Sequence, residues 1–151
     1  MTATITITNP ILSGMNPDPS WIWDDEFQRI VLVTSTFELV PGLPIYVSED
    51  MTCWKHVSNV IDADLARRLL IPFVDDSGGV YAPTLRRIHG KYVIACTIAR
   101  LDNRRAMEGG CTESELMRFH AAEGNFILEA DSIEGPWHGP FWIEGAEGID
   151  P

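Results

Sequence analysis

The sequence carries little positive charge and lacks long apolar runs. Lysine and arginine total 11 against 22 aspartates and glutamates, for a formal net charge of −11 at pH 7. Nucleic acids and anionic membranes are recognised by basic surfaces, so this composition argues against both as partners. No stretch approaches the roughly 18 apolar residues of a membrane span. The N-terminal "MTATITITNP" has neither the basic start nor the apolar stretch of a secretory signal, and we therefore expect a cytoplasmic protein.

Paired cysteines and clustered histidines are also missing. The three cysteines, Cys53, Cys96 and Cys111, are odd in number and scattered, which favours reduced, buried thiols over a disulfide framework. The histidines lack the spacing of metal ligands; they are His56, His89, His120 and His138. Neither a phosphate-binding glycine loop nor a serine-nucleophile motif occurs. The sequence therefore predicts no metal site and no cofactor.

An internal repeat is the main positive feature of the sequence. The segment "DPSWIWDDEFQRIVLVTSTF" (18–37) aligns with "APTLRRIHGKYVIACTIA" (82–99), and "DP" opens a third copy at residue 150. Each full copy begins with a proline and a hydroxyl residue, followed by an apolar strand, a polar turn and a β-branched strand. A tryptophan, Trp54 or Trp137, precedes a further apolar strand in each copy. The chain is therefore predicted to consist of repeated groups of short strands.

The second copy contains an insertion that the first copy lacks. It lies at residues 101–124, "LDNRRAMEGGCTESELMRFHAAEG". Within it, Thr112 and Glu115 have the spacing of a capping box, and Gly124 is placed to end a helix. We expect one short inserted helix on an all-β scaffold.

Repeated groups of short strands are typical of the blades of a β-propeller. The sequence predicts blade one at about residues 18–81, blade two at about 82–149 and the start of a third. A β-sandwich whose strands happen to look alike is the alternative. Two blades do not close a ring that typically needs about four to eight, so we also expect exposed blade edges and self-association through them.

Asp18 is the first candidate for chemistry. Pro17 and Pro19 flank it and restrict its backbone, which presets the direction of its carboxylate. An Asx-type turn or a strand-start cap would explain the same pattern without a function. Asp150 occupies the matching position in the third copy, and equivalent positions of a radial fold converge on its axis. Two carboxylates desolvated together there would have separated pKa values suited to acid–base chemistry.

The middle copy has "YAPT" where the others have an aspartate. Ala82 at that position suits the floor of a pocket, and Tyr81 offers an aromatic face to a sugar ring or is a core tyrosine. Phe37, at the end of the strand in copy one, is either a loop anchor or another pocket wall. These three residues complete the predicted site.

The motifs together resemble glycoside hydrolase family 43, the family of β-xylosidases and α-L-arabinofuranosidases. The chain contains, in family order, "NPILSGMNPDPS", "TSTFELVPGLPIYVSEDMTCW", "DSGGVYAPTLRRIHGKYVIACT", "NFILEADSIEGPW" and "GIDP". The resemblance covers nearly the whole chain apart from residues 101–124, and the long second segment is most similar to the β-xylosidase branch. It implies a five-bladed β-propeller of which residues 1–151 would be a truncated N-terminal part.

The resemblance also implies roles for individual residues. Asp18 matches the general base that activates the hydrolytic water, and Asp150 matches the aspartate that modulates the pKa of the general acid. Phe37 and Tyr81 match aromatic walls of the sugar subsite, where family xylosidases usually carry Trp in place of Tyr81. Such enzymes invert the anomeric centre, and the implied substrates are xylan- or arabinan-derived oligosaccharides. Some relatives hold a calcium ion on the propeller axis, which nothing in this sequence supports.

The chain departs from the family at the general acid. That residue is a glutamate in a later blade, and no glutamate here lies in a matching motif; Glu144 and Glu147 are near Asp150 but nothing identifies either as a substitute. We therefore expect little or no turnover by this chain alone. One alternative is a non-catalytic truncated remnant with at most weak sugar binding. A more remote one is an invertase-like retaining hydrolase, since that clan also begins with an Asp-Pro motif.

Overall fold

The fold is built from two groups of antiparallel strands. A computed structural model of the protein describes residues 6–151. The expectation that the N-terminus is not a secretory signal therefore falls partly on residues outside the described range. The strands in this range are β1 (Ser20–Asp24), β2 (Arg29–Val33), β3 (Gly42–Ser48), β4 (Lys55–Ile61), β5 (Val74–Val80), β6 (Thr84–Ile88), β7 (Lys91–Leu101), β8 (Asn125–Ala130) and β9 (His138–Trp142). The predicted all-β class is confirmed.

Both groups follow the chain order from strand to neighbouring strand. The first sheet has the order β1-β2-β3-β4 and is antiparallel throughout. In the second, β6, β7, β8 and β9 pair in the same way, while β5 pairs with the C-terminal half of the long strand β7. The central strands β2 and β7 contain the two β-branched segments of the sequence repeat, and β-branched side chains pack well on the pleated surface of a sheet.

The sequence repeat is also a structural repeat. Ser20 lies opposite Val33 in the first hairpin, and Thr84 lies opposite Ala95 in the second. The hydroxyl residue after each opening proline therefore has the same register against its central strand. Equivalent positions in sequence are equivalent in the two sheets.

The sheets share one apolar core, and their opening strands are joined by polar contacts. Val33, Leu85 and Phe126, among others, are fully buried in the core. The backbone N–H of Leu85 donates to Ser20 Oγ at 3.0 Å, which ties β6 to β1 at one end. At the other end, Asp24 is fully buried and accepts a 2.6 Å hydrogen bond from Arg87 Nη1. This end-to-end attachment keeps the loops that precede β1 and β6 side by side.

The prediction of one short inserted helix is wrong, because the insertion contains two helices. The insertion holds α2 (Asn103–Glu108) and α3 (Glu113–Ala121), and a further helix, α1 (Ala63–Arg68), precedes a 3₁₀ turn at Ile71–Phe73. The missed helices each have an aspartate N-cap, because the side chains of Asp62 and Asp102 accept from the backbone N–H three residues further along the chain. In α3 the predicted capping box of Thr112 and Glu115 is present.

The cysteines only partly match the expectation of buried thiols. Cys96 and Cys111 are buried, whereas Cys53 is exposed, and all three are free. Among residues 6–151, no helix is long and apolar enough to cross a membrane, and no three acidic, histidine or cysteine side chains are grouped as metal ligands would be.

Candidate functional site

Asp18 lies in the loop before β1 in a strained backbone conformation. Its φ of 52° is in the left-handed region, which is uncommon for residues with a side chain. Ser35 holds it there twice: its hydroxyl donates to Asp18 Oδ2 at 2.7 Å, and its backbone N–H donates to Pro17 O at 3.0 Å. Among residues 6–151, no group donates a hydrogen bond to the other carboxylate oxygen, Oδ1. One oxygen is therefore anchored while the other is available.

Asp150 takes the same backbone conformation before the third copy. Its φ is 61°, and its Oδ1 accepts from the backbone N–H of Ala82 at 3.3 Å. The next residue, Pro151, accepts through its carbonyl from the Thr84 hydroxyl. The third copy thus places its aspartate beside Ala82, at the position where the second copy lacks one.

An aromatic pair lies next to these loops. Phe37 and Val80 exchange two backbone hydrogen bonds of 3.0 and 2.9 Å, which brings Tyr81 beside Phe37. Their rings are 5.6 Å apart between centroids and inclined by 74°, an edge-to-face arrangement. Gly79 permits this approach, because a Cβ there would lie 2.3 Å from Phe37 O. Both rings are half-buried, so neither is a core side chain.

The buried thiol of Cys96 connects the pieces of the site. It donates to Tyr81 O at 3.2 Å. Burial raises the pKa of this thiol, and the negative charges of Asp150 and Asp18 raise it further. Asp18 is held by Ser35, two residues before Phe37, and Asp150 contacts Ala82, next to Tyr81, so both carboxylates lie at the same end of the two sheets. The structure therefore brings together all five predicted site residues: Asp18, Asp150, Phe37, Tyr81 and Ala82.

Both carboxylates are exposed in this chain, which differs from the expectation that they are desolvated together. The two sheets and their loops leave these side chains open to solvent. Glu144 and Glu147, on the segment leading to Asp150, are exposed as well. What the arrangement provides is two oriented carboxylates beside an aromatic wall. Such an arrangement offers a ligand an aromatic face beside two carboxylates that accept hydrogen bonds.

Sequence inspection missed the residue that holds Asp18. Ser35 is fully buried within the hydroxyl triplet Thr34–Thr36, which directly follows the apolar strand β2. In the sequence, Ser35 is notable only as a candidate nucleophile, and it lacks the motif that such a serine needs. A run of hydroxyl residues at the end of a buried strand is the signal that could have identified it, because buried hydroxyls need partners.

Comparison with known proteins gives one consistent result. The model of the family "Glycosyl hydrolases family 43" matches residues 7–151. The chain is 36% identical over 148 residues to the non-reducing end alpha-L-arabinofuranosidase BoGH43B of Bacteroides ovatus, covering 97% of this chain and 23% of that protein. It is 38% identical over 145 residues to a putative beta-xylosidase of Escherichia coli strain K12, covering 96% and 24%. It therefore spans about a quarter of the length of these relatives.

Solved structures agree with the sequence matches. The Bacteroides ovatus xyloglucan PUL GH43B superimposes with a TM-score of 0.69 at 34% identity, covering 90% of this chain and 23% of that one. The GH43 BlXynB protein of Bacillus licheniformis superimposes with a TM-score of 0.72 at 27% identity, covering 96% and 26%. Sequence and backbone thus point to the same group of proteins.

Proposed function

This chain belongs to glycosyl hydrolases family 43, and from that membership we propose that it is part of an inverting glycosidase acting on xylo- or arabino-oligosaccharides. The observation that carries the proposal is the pair of Asp-Pro aspartates, Asp18 and Asp150, oriented beside the Phe37–Tyr81 aromatic pair. Xylosidase and arabinofuranosidase relatives support the substrate class.

We propose the general-base role for Asp18. A base must accept a proton from water, and Asp18 has one oxygen anchored by Ser35 and the other without a donor among residues 6–151. Inverting glycosidases place the water between base and sugar, with the two catalytic carboxyl groups about 6.5–9.5 Å apart. An anchored carboxylate in a preset direction meets the geometric demand of that step.

Asp150, Ala82 and the aromatic pair are proposed to hold the sugar. Asp150 would orient the ring and modulate the pKa of the general acid, with Ala82 as the floor of the subsite. Phe37 and Tyr81 would form its wall. The support is spatial: Asp150 contacts Ala82 N–H, and the two rings are in edge-to-face contact nearby.

The architecture is proposed to be two blades of a five-bladed propeller. Blade one would span about residues 18–81 and blade two about 82–149, with Asp150 opening a third, in one domain over 1–151. The matched registers of the two hairpins support this division. Open blade edges would recruit a second copy of the chain, a form of self-association that sedimentation at several concentrations would detect. A cytoplasmic location without nucleic-acid or membrane partners remains part of the proposal.

We further propose that this chain has little or no turnover by itself. A glycosidase of this type needs a carboxylic acid opposite the base, and Glu144 and Glu147 are exposed and make no side-chain hydrogen bond or ion pair with any of residues 6–151. General acid–base assistance is worth about 10²–10⁴-fold. The alternative is a non-catalytic remnant that binds sugar weakly, which the exposure of both aspartates favours.

A binding experiment tests the proposal without requiring turnover. We expect xylotriose to show saturation-transfer contacts with the chain that Tyr81→Ala weakens, because the subsite wall is lost. Phe27→Ala is the matched control, since Phe27 is an exposed aromatic (54%) at the opposite end of the β1–β2 hairpin. Equal binding by wild type and Tyr81→Ala, or equal loss in both variants, would contradict the proposed subsite.

A further inference from the structure

Asn125 is a buried amide whose polar atoms are all engaged. It opens β8 and is 2% exposed. Its Oδ1 accepts from the Thr97 hydroxyl at 2.5 Å. Its Nδ2 donates to two carbonyls, of Gly148 at 3.0 Å and of Ala146 at 3.4 Å. Because Thr97 occupies the acceptor, the amide is fixed with its donors pointing at the 146–148 segment.

The segment that Asn125 holds leads directly to Asp150. Gly148 is bound at both of its peptide groups, since its N–H also donates to Glu123 Oε2 at 3.2 Å. Further back, the backbone N–H of Ile143 donates to the carbonyl of Asn125 at 3.0 Å. The loop is thus fastened two residues before Asp150, whose carboxylate then meets Ala82 N–H.

Both copies of the repeat have a hydroxyl residue at the same position after the central strand, and in each copy it binds a polar side chain of the site region. Ser35 follows Val33, the partner of Ser20, by two residues, and Thr97 follows Ala95, the partner of Thr84, by two residues. In the first copy the hydroxyl binds its aspartate, Asp18, directly. In the second copy, where Ala82 replaces the aspartate, the hydroxyl binds Asn125 instead.

We propose that Thr97 and Asn125 are positioning residues for Asp150, with the Thr97 hydroxyl orienting the Asn125 amide and the amide holding residues 146–148. This inference rests on the proposed role of Asp150 in the sugar subsite. A purely packing role would be served by apolar side chains, whereas three buried polar atoms are costly unless each is paired. Here the Thr97 hydroxyl binds the Asn125 amide, and that amide binds the backbone segment that leads to Asp150.

The test monitors the position of Asp150 by the NMR resonance of the Ala82 backbone N–H, which donates to the Asp150 carboxylate. In a ¹⁵N-labelled chain, Asp150→Ala defines the Ala82 amide resonance when its carboxylate partner is missing. Thr97→Val keeps the side-chain volume and removes the hydroxyl, so we expect the Ala82 resonance to move toward that position. Hydrogen exchange at the Gly148 amide, whose own acceptor is Glu123, should accelerate by up to about tenfold once Asn125 no longer holds the Gly148 carbonyl. Thr97→Ser keeps the hydroxyl and should restore both readouts.

Each outcome decides the proposal. An unmoved Ala82 resonance in a folded Thr97→Val chain would overturn it, even if the variant were less stable, because a merely structural role lowers stability without displacing Asp150. If Thr97→Val does not fold, Thr97→Ala replaces it, since it removes the same hydroxyl without placing a methyl group against the Asn125 amide. A shift of the Ala82 resonance supports the fastening, and an unmoved one overturns it. No readout needs sugar or turnover, so failure here is distinct from failure of the glycosidase proposal.

Discussion

Strand β1 has an aspartate near each end, and the two differ in almost every respect. Asp18, before the strand, is exposed, has one side-chain partner and adopts a φ of 52°. Asp24, at its last position, is fully buried and is contacted by Arg87 at 2.6 Å, by the Tyr92 hydroxyl and by Arg29 at 3.8 Å. The carboxylate of Asp24, with both oxygens engaged, joins the sheets, whereas Asp18, in a strained loop, has one oxygen without a hydrogen-bond donor among residues 6–151.

The surroundings of Asp24 confirm that its end of the strand is structural. Burial raises the pKa of Tyr92, and its hydrogen bond to the Asp24 carboxylate raises it further. The pKa of Arg87 is raised first by its hydrogen bond to Glu26 and also by the charge of Asp24. Both shifts preserve the protonated partners around a buried anion. This network connects β1 to β6 and β7 far from the loop of Asp18.

The largest expected effect is on turnover. In any form of the protein with measurable hydrolysis, Asp18→Asn should lower kcat by about 10²–10⁴-fold while sugar binding changes little, because the amide cannot take the proton from water. Its side-chain oxygen can still accept from Ser35, so we expect the unfolding free energy to stay within about 1 kcal/mol of wild type. Steady-state kinetics and urea unfolding check both parts. A variant with wild-type turnover would remove Asp18 from the base role.

Asp24→Ala should mainly lower stability, whereas Asp18→Asn should mainly lower turnover. Removing the buried carboxylate leaves the Tyr92 hydroxyl and Arg87 Nη1 without their acceptor, and Arg87 keeps only its exposed partner Glu26, so we expect a loss of about 3–5 kcal/mol of unfolding free energy. Urea unfolding measures it, with Asp25→Ala as the control because Asp25 is exposed and should change stability by about 0.5 kcal/mol or less. Equal effects of the two substitutions would mean that the buried network does not hold the sheets together.

Gly79→Ala tests the strain at the site end. A Cβ at Gly79, where φ is +91°, would lie 2.3 Å from Phe37 O, whereas a Cβ at Gly90, where φ is +85°, meets nothing within 4 Å. Both substitutions incur the left-handed backbone cost, but only Gly79→Ala forces Phe37 and Val80 apart. We expect it to cost about 1–3 kcal/mol more than Gly90→Ala in thermal or urea unfolding. Similar losses in the two variants would contradict the close approach.

Glu115 is half-buried, so its exposure lies between that of Asp18 and that of Asp24. Hydrogen bonds from the backbone N–H and the hydroxyl of Thr112 lower its pKa below the usual 4.5. A lowered folded pKa gives stability that is present above pH 4.5 and lost as pH falls through the folded value. We therefore expect Glu115→Gln to be less stable than wild type at pH 7, by under about 1 kcal/mol, and the difference to vanish in acid. A pH series of unfolding curves would show whether it persists.

Much of the fold is predictable from the sequence alone. Alternating or continuous apolar strands, their punctuation by turn residues and the repeat are local patterns, so they locate β1, β2, β6 and β7. The capping box of α3 is equally local. The helices α1 and α2 were missed because each is only 6 residues long, too short for an apolar period to be visible beside a single capping aspartate.

The candidate site likewise has features that the sequence predicts and features that it does not. The position of Asp18 between two prolines and its recurrence at residue 150 are written in the sequence, as are Phe37 and Tyr81 at strand ends. The sequence also indicates that Asp18 is unusual, but not that Asp24, at the far end of β1, is the buried one. Nothing local distinguishes an aspartate that meets an arginine from one that meets water.

The sequence by itself therefore determined the strands, the repeat and the backbone restriction at the two Asp-Pro motifs, because these depend on neighbours along the chain. Tertiary structure alone decided which polar groups meet. Ser35 reaches Asp18 across 17 residues, Asn125 reaches Thr97 across 28, and Arg87 reaches Asp24 across 63. Such partners are selected by the packing of one sheet against another, where burial makes an unpaired polar group costly, and that selection has no local signature.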